Sequence, residues 1–249
     1  MHMTGNTILV TGGGSGIGRG LAEAFHALGN HVIIAGRRPE PLQAVAAANP
    51  GMTIAVLDVA DPAAMHAFTA RVGQDHPALN VLINNAGIMQ TEDALADSFD
   101  MTPCEATIAV NLLAPIRLTM ALIPHLRRQA RAAIVNVTSG LAFVPRADTP
   151  TYGATKAAMH SWTQSMRHQL RGTPVQMIEL APPLVATDLT PGQRDNPRAM
   201  PLDAFIRESM ALFAADDAAP EILVERVKPQ RMAEARGDHG KVFAMINGA

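Results

Sequence analysis

Short apolar, β-branched runs alternate with segments of helical periodicity along most of the chain. Thr7 to Thr11, TILVT, has the character of a strand, and it leads without a linker into GGGSGIGRG and then into Leu21, Ala22, Phe25 and Leu28 at helical spacing. The reading is strand, glycine turn, helix. Gly29 and Asn30 stop that helix, and HVIIA from His31 forms a second apolar strand that ends in GRRPEP. The unit then repeats with a helix over about 40–48, a strand MTIAVLDV, a helix opening at Asp61 with Pro62 in its first turn, and a strand NVLIN ending at Asn84. Strands this continuously apolar, alternating with helices, predict a parallel sheet covered on both faces.

Beyond Gly87 a long helix is expected from about 103 to 129 through Ile108, Val110, Leu112, Leu113 and Leu118, with a kink at Pro115. AAIVNV at 132–137 is a fifth strand, 151–171 a further helix and VQMIEL at 175–180 a sixth strand. After Pro182 and Pro183 comes a Pro- and Gly-containing segment, then short helical patterns and an expected last strand, VFAMI, at 242–246. The stretch from about 188 to 215 has the character of a substrate-covering segment rather than a linker. A single domain over 1–249 accommodates the whole pattern.

Composition narrows the partners. With 48% hydrophobic residues, 17% charged residues and a net charge of −2, the chain has no electrostatic bias toward nucleic acid or an anionic membrane. The lone cysteine, Cys104, cannot form an internal disulfide and reads as a small, partly buried side chain. No targeting segment is evident and no apolar run approaches the roughly 20 residues of a membrane span, so a cytoplasmic protein is expected. His125, His160 and His168 lack partners at metal-ligand spacing and read as surface or core histidines.

Two stretches carry chemistry. The glycine turn places Gly12, Gly14, Ser15, Gly16, Ile17 and Gly18 between a strand and a helix, where backbone N–H groups and the helix N-terminus can approach a pyrophosphate closely. An acidic residue after strand two would bond ribose hydroxyls and repel a 2'-phosphate. This chain has Gly36, Arg37 and Arg38 there, which favours NADP(H) over NAD(H). The second stretch holds Ser139, the chain's only tyrosine, Tyr152, and Lys156. Tyr152 and Lys156, four residues apart on a helix, project from one face. The ammonium and an oxidised nicotinamide both favour phenolate, so the tyrosine is expected to titrate below about 10 and to act as general acid or base. Ser139, on the loop leaving strand five, is placed to hold the same substrate oxygen.

With these residues assembled, the chain resembles the classical short-chain dehydrogenase/reductase family over nearly its whole length. The resemblance rests on TGGGSGIG from Thr11, LDV at 57–59, NNAG at 84–87, Asn111 in NLLA, and Ser139, Tyr152 and Lys156, in that order. It implies a Rossmann-type, doubly wound α/β fold with seven parallel strands. Asp58 and Val59 would lie beside the adenine, and Asn85, Ala86 and Gly87 would line the cofactor. Lys156 would hold the nicotinamide ribose, and Asn111 would kink its helix to seat a water in a proton relay. A homodimer or homotetramer through the two long helices is also implied. Family members commonly carry Pro-Gly after strand six, whereas this chain reads APPLVAT from 181. Pro182, Val185 and Thr187 keep their offsets, but Pro183 removes an N–H and fixes φ, which predicts a differently shaped nicotinamide wall.

The function expected is hydride transfer between NADP(H) and a small-molecule carbonyl or alcohol. The alternative is a non-catalytic NADP-binding redox sensor or scaffold, and a sugar-nucleotide epimerase or dehydratase is disfavoured because such relatives usually carry a longer C-terminal substrate domain. The expected pocket segments, Leu141 to Arg146 and Pro183 to about Phe213, are mostly apolar, with Met89 a further candidate and Arg146 the one nearby charge able to meet an acid group.

Overall fold

The computed structural model describes residues 1–248. The strand runs become β1 (Thr7–Thr11), β2 (His31–Gly36), β3 (Thr53–Val56), β4 (Leu79–Asn84), β5 (Ala132–Val137), β6 (Val175–Leu180) and β7 (Glu221–Ile222). They form one sheet in the order β3-β2-β1-β4-β5-β6-β7, with every pairing parallel. The helices are α1 (Gly16–Ala27), α2 (Pro39–Ala48), α3 (Pro62–Asp75), α4 (Thr102–Ile108), α5 (Ala114–Leu126), α6 (Pro150–Gln169), α7 (Leu202–Ala215), α8 (Lys228–Arg231), α9 (Ala233–Arg236) and α10 (His239–Asn247).

Because successive strand residues point to opposite faces, the continuous apolar runs feed two cores at once. Ile8, Val10, Val32 and Ile34 pack against Leu21 and Phe25 of α1 and Phe205 and Phe213 of α7. Leu9, Ile33, Leu82 and Ile134 pack on the other face against Val72, Leu118, Leu122 and Met166. Phe25 and Phe213 meet edge to face at 5.9 Å, which ties α1 to α7. Side chains of this size stabilise the fold by roughly 1.5–3 kcal/mol each when fully buried.

Strand order reverses between β1 and β4, where the crossovers diverge to opposite faces and leave a crevice at the C-terminal strand ends. Thr11, the last residue of β1, holds this junction together. Its hydroxyl accepts from the backbone N–H of Asn85 (3.0 Å) and of Ala86 (3.1 Å), and the Asn85 side-chain amide donates to the Thr11 carbonyl (3.0 Å). Asp61 caps α3 as its sequence suggests, accepting from the N–H groups of Ala63 and Ala64.

Three expectations change. The seventh strand is not VFAMI at 242–246, which lies in α10, but the two-residue β7. Val242 and Ile246 share a helical face against Val144 and Ala233, and Gly248 ends the helix in a left-handed conformation (φ 73°). The kink anticipated at Pro115 is a π-helical turn, Ala109–Leu113, just before it. Proline offers no N–H to the Asn111 carbonyl, so the ladder slips by one residue and the Ala114 N–H bonds the Ala109 carbonyl. The helical run Thr102–Leu126 also proves long and apolar enough to pass as a membrane span by length and composition. Here its apolar face is a core face, with Val110, Leu118, Leu122 and Leu126 buried.

Candidate active site

The glycine turn between β1 and α1 takes its shape from what side chains would do there. Gly12 (φ 68°) and Gly16 (φ 53°) adopt left-handed backbone that glycine alone accepts without strain. A Cβ on Gly18 would come within 2.4 Å of the Gly12 carbonyl oxygen and 2.3 Å of the Asn85 amide nitrogen, so the start of α1 lies directly on the turn. The result is a backbone cradle at a helix N-terminus. It opens into a cavity of about 450 Å³ whose wall includes Gly12, Ser15, Gly16, Ile17, Arg37 and Arg38. An adjoining cavity of about 190 Å³ adds Gly14, Asp58 and Val59. Asn85, Ala86, Gly87, Pro182, Val185 and Thr187 also face the larger cavity. The predicted cofactor-binding residues, apart from Gly18, which packs beneath the turn, thus line two connected spaces. Arg37 and Arg38 are solvent-exposed.

Ser139, Tyr152 and Lys156 meet on the opposite wall of the larger cavity. Ser139 leaves β5 in extended conformation, and its hydroxyl accepts from the Leu141 N–H (3.1 Å), opening a short 3-10 turn. Tyr152 and Lys156, a turn apart on α6, are 6% and 5% exposed, and the Lys156 ammonium nitrogen lies 5.6 Å from the Tyr152 ring centre. That nitrogen donates to the Val137 carbonyl (2.9 Å). A Cβ on Gly87 would come 3.3 Å from the Asn111 side-chain oxygen and 3.7 Å from Lys156 Nζ, so this glycine keeps the space over both open. The Asn111 side chain clamps Ile88, accepting from its N–H (2.9 Å) and donating to its carbonyl (2.8 Å).

The expected lowering of the tyrosine is reversed in the protein alone. Burial pushes the Tyr152 hydroxyl up to about 12, with the neighbouring Ser139 hydroxyl pulling the other way. Burial also pushes Lys156 down to about 8. Both groups are therefore biased toward their neutral forms, because the low-dielectric wall penalises either charge.

Several residues that lie behind the cavity walls, outside the linings themselves, were given no role by the sequence. Thr11 is one. Another is the fully buried Glu179, which accepts from Thr138 (2.6 Å) and lies 2.7 Å from His160 Nδ1. His160, expected to be without partners, sits with Glu179 and Glu221 so that ligand-type atoms lie within 4.8 Å. Arg231, bonded to both oxygens of Glu221 (2.9 and 3.1 Å), places a guanidinium at that cluster. Charge-bearing residues on an otherwise apolar strand such as VQMIEL were the available signal. Beyond Tyr152 a further cavity of about 520 Å³ is lined by Met89, Leu141, Pro183, Leu184, Leu189 and Met245, among others. Of the segment 188–215, α7 is part of the core and only the loop before it faces the cavities.

A doubly wound parallel sheet with a glycine cradle at its switch point, facing a buried serine, tyrosine and lysine, defines an oxidoreductase of the nicotinamide-dinucleotide class. The chain belongs to the short chain dehydrogenase family, whose pattern matches residues 6–198. It is 40% identical over 250 residues to the uncharacterized oxidoreductase DltE of Bacillus subtilis (strain 168), covering 99% of this chain and 98% of that protein. It is 31% identical over 226 residues to a sulfoacetaldehyde reductase of Chromohalobacter salexigens, covering 89% and 88%. Among solved structures it is similar to a short-chain dehydrogenase from Sphingobium yanoikuyae in complex with NADPH, with 26% identity, a TM-score of 0.81 and 95% of each chain covered.

Proposed function

We propose that this protein is a cytoplasmic, homo-oligomeric oxidoreductase that uses NADP(H) to interconvert a carbonyl compound and its alcohol, with Tyr152 as the general acid or base. The observation that carries this reading is the meeting of Ser139, Tyr152 and Lys156 on one cavity wall opposite the glycine cradle. When bound, the nicotinamide supplies or accepts the hydride. Gly12, Ser15, Gly16 and Ile17 would hold its pyrophosphate, Arg37 and Arg38 the 2'-phosphate, and Lys156 the ribose hydroxyls.

In the reducing direction Tyr152 starts protonated, as its burial favours, and gives its proton to the carbonyl oxygen that Ser139 also binds. In the oxidising direction the phenolate takes the alcohol proton, and the positive charges of Lys156 and the oxidised cofactor bring it within reach. The π turn leaves the Asn111 carbonyl without its usual helical donor, which suits it to hold a relay water behind Lys156. The outer face of the long helix exposes Ile108, Leu113 and Met120, in keeping with contact between copies.

The test is a panel of aldehydes, ketones and alcohols followed by NADPH absorbance, with Tyr152→Phe alongside. Turnover should fall by roughly 10²–10⁴-fold in the variant. Activity unchanged by the substitution would overturn the assigned role, and tight NADP binding without turnover of any compound would point to a sensor or scaffold.

A further inference from the structure

The cavity beyond Tyr152 differs in charge from the molecule around it. Acids outnumber bases in the chain, 22 to 20, yet this lining holds Arg146, Arg198 and Arg226 and no Asp or Glu. The three arginines are not equivalent. Arg146 is held by both oxygens of Asp148 at 2.6 Å, so its charge is answered within the protein. Arg226 donates from Nη2 to the backbone carbonyl of Arg198 (2.6 Å), which fastens the two residues together at the cavity wall. Among the described residues, neither the Arg198 nor the Arg226 guanidinium has a carboxylate partner. Glu225, next to Arg226, pairs with Lys228, and Asp188, at the neighbouring cavity, pairs with Arg194.

Two exposed arginines without counter-ions, joined through the Arg198 backbone and lining a cavity that also contains Ser139 and Tyr152, are chemically suited to an oxyanion. Asn196 and Gln230 line the same space and offer neutral donors beside them, whereas the Gln193 amide is already given to the Val185 carbonyl and the Thr187 hydroxyl. The rest of the wall, with Met89, Leu141, Leu184 and Leu189, would accept a short carbon chain.

We infer that Arg198 and Arg226 form an anion subsite, so that the substrate is a carbonyl compound carrying a carboxylate, sulfonate or phosphonate group, its carbonyl at Tyr152 and its acid group at the arginine pair. This rests on the carbonyl-reducing reading above and specifies its substrate class.

The experiment compares matched probes on the wild-type protein with NADPH: succinate semialdehyde, its methyl ester, phosphonoacetaldehyde and sulfoacetaldehyde. The acid should exceed the ester in kcat/KM by at least roughly tenfold, the scale of one hydrogen bond to a charged group. Arg198→Gln with Arg226→Gln should collapse that ratio mainly through KM, and Arg198→Glu should invert it toward the ester. The dissociation constant for NADPH reports that each variant is folded. Which of the three anions gives the highest kcat/KM identifies the acid group. Equal treatment of acid and ester by the wild type, or a ratio untouched by the substitutions, overturns the anion subsite while leaving the carbonyl reductase intact. If no probe turns over, calorimetric titration of the NADP-loaded protein with succinate semialdehyde decides separately. Binding that the double variant loses supports the subsite, and no binding, or binding that the double variant keeps, overturns it, while the reductase reading is decided by the wider panel above.

Discussion

Tyr152 is the only tyrosine in the chain, so its ionisation can be followed directly through tyrosinate absorbance in the near ultraviolet. Its hydroxyl is pushed up to about 12 by burial, above the ordinary 10. A raised acid keeps its proton in the folded state while the unfolded chain loses it, so this group's contribution to stability is present below pH 10 and is lost as pH rises through 12. The expected outcome is no tyrosinate signal in the cofactor-free protein up to about pH 10, and a midpoint that moves down when NADP is added. A midpoint at or below 10 without cofactor would contradict the buried environment. Tyr152 and Lys156 were legible because one helix turn brings them together, and Ser139 because it lies on the loop leaving a strand. Arg198 and Arg226 were not, since twenty-seven residues of loop, helix and edge strand intervene and only the folded chain shows one bonding the other's backbone. The burial of Tyr152 was hidden for a related reason: spacing reveals a nearby ammonium but not the low-dielectric wall that opposes it when no cofactor is bound.

At the scale of elements, the π turn and the NAG loop form one device. Asn111 satisfies both backbone groups of Ile88, and its helix is distorted where Pro115 follows. Asn111→Leu should leave two partly buried backbone groups without partners and lower stability by about 2–4 kcal/mol, measurable in denaturant unfolding. An unchanged midpoint would mean the clamp contributes nothing. Strands β1, β2, β4, β5 and β6 were readable because fully buried parallel strands are continuously apolar. The misplaced seventh strand shows the limit of that signal. VFAMI is equally apolar, but Ala and Met favour helix, and its packed positions, the buried Val242 and the partly buried Ile246, fall four apart. The true β7, only Glu221 and Ile222 after Pro220, is too short to show any periodicity.

Across the whole molecule, cations gather along the crevice although the net charge is −2. Arg37 and Arg38 stand at one end, Lys156 near the middle, and Arg198 and Arg226 at the other. On the function proposed above, such a distribution would draw in a polyanionic cofactor and an acidic substrate together. Arg37→Asp combined with Arg38→Leu should weaken NADPH by roughly 10²-fold or more relative to NADH, and raising salt should weaken NADPH more steeply than NADH in the wild type. Equal losses for the two cofactors would remove the arginine pair from the 2'-phosphate. The loop between β6 and α7, which borders both cavities, is tied at its base: the Ala186 N–H bonds the Met200 carbonyl, and the Met200 N–H bonds the Leu184 carbonyl, both at 2.8 Å. The entropy of bringing its ends together is therefore already spent in the folded protein. A ligand that orders this loop has to overcome only the freedom inside it, which leaves more of each contact's free energy for discriminating one substrate from another.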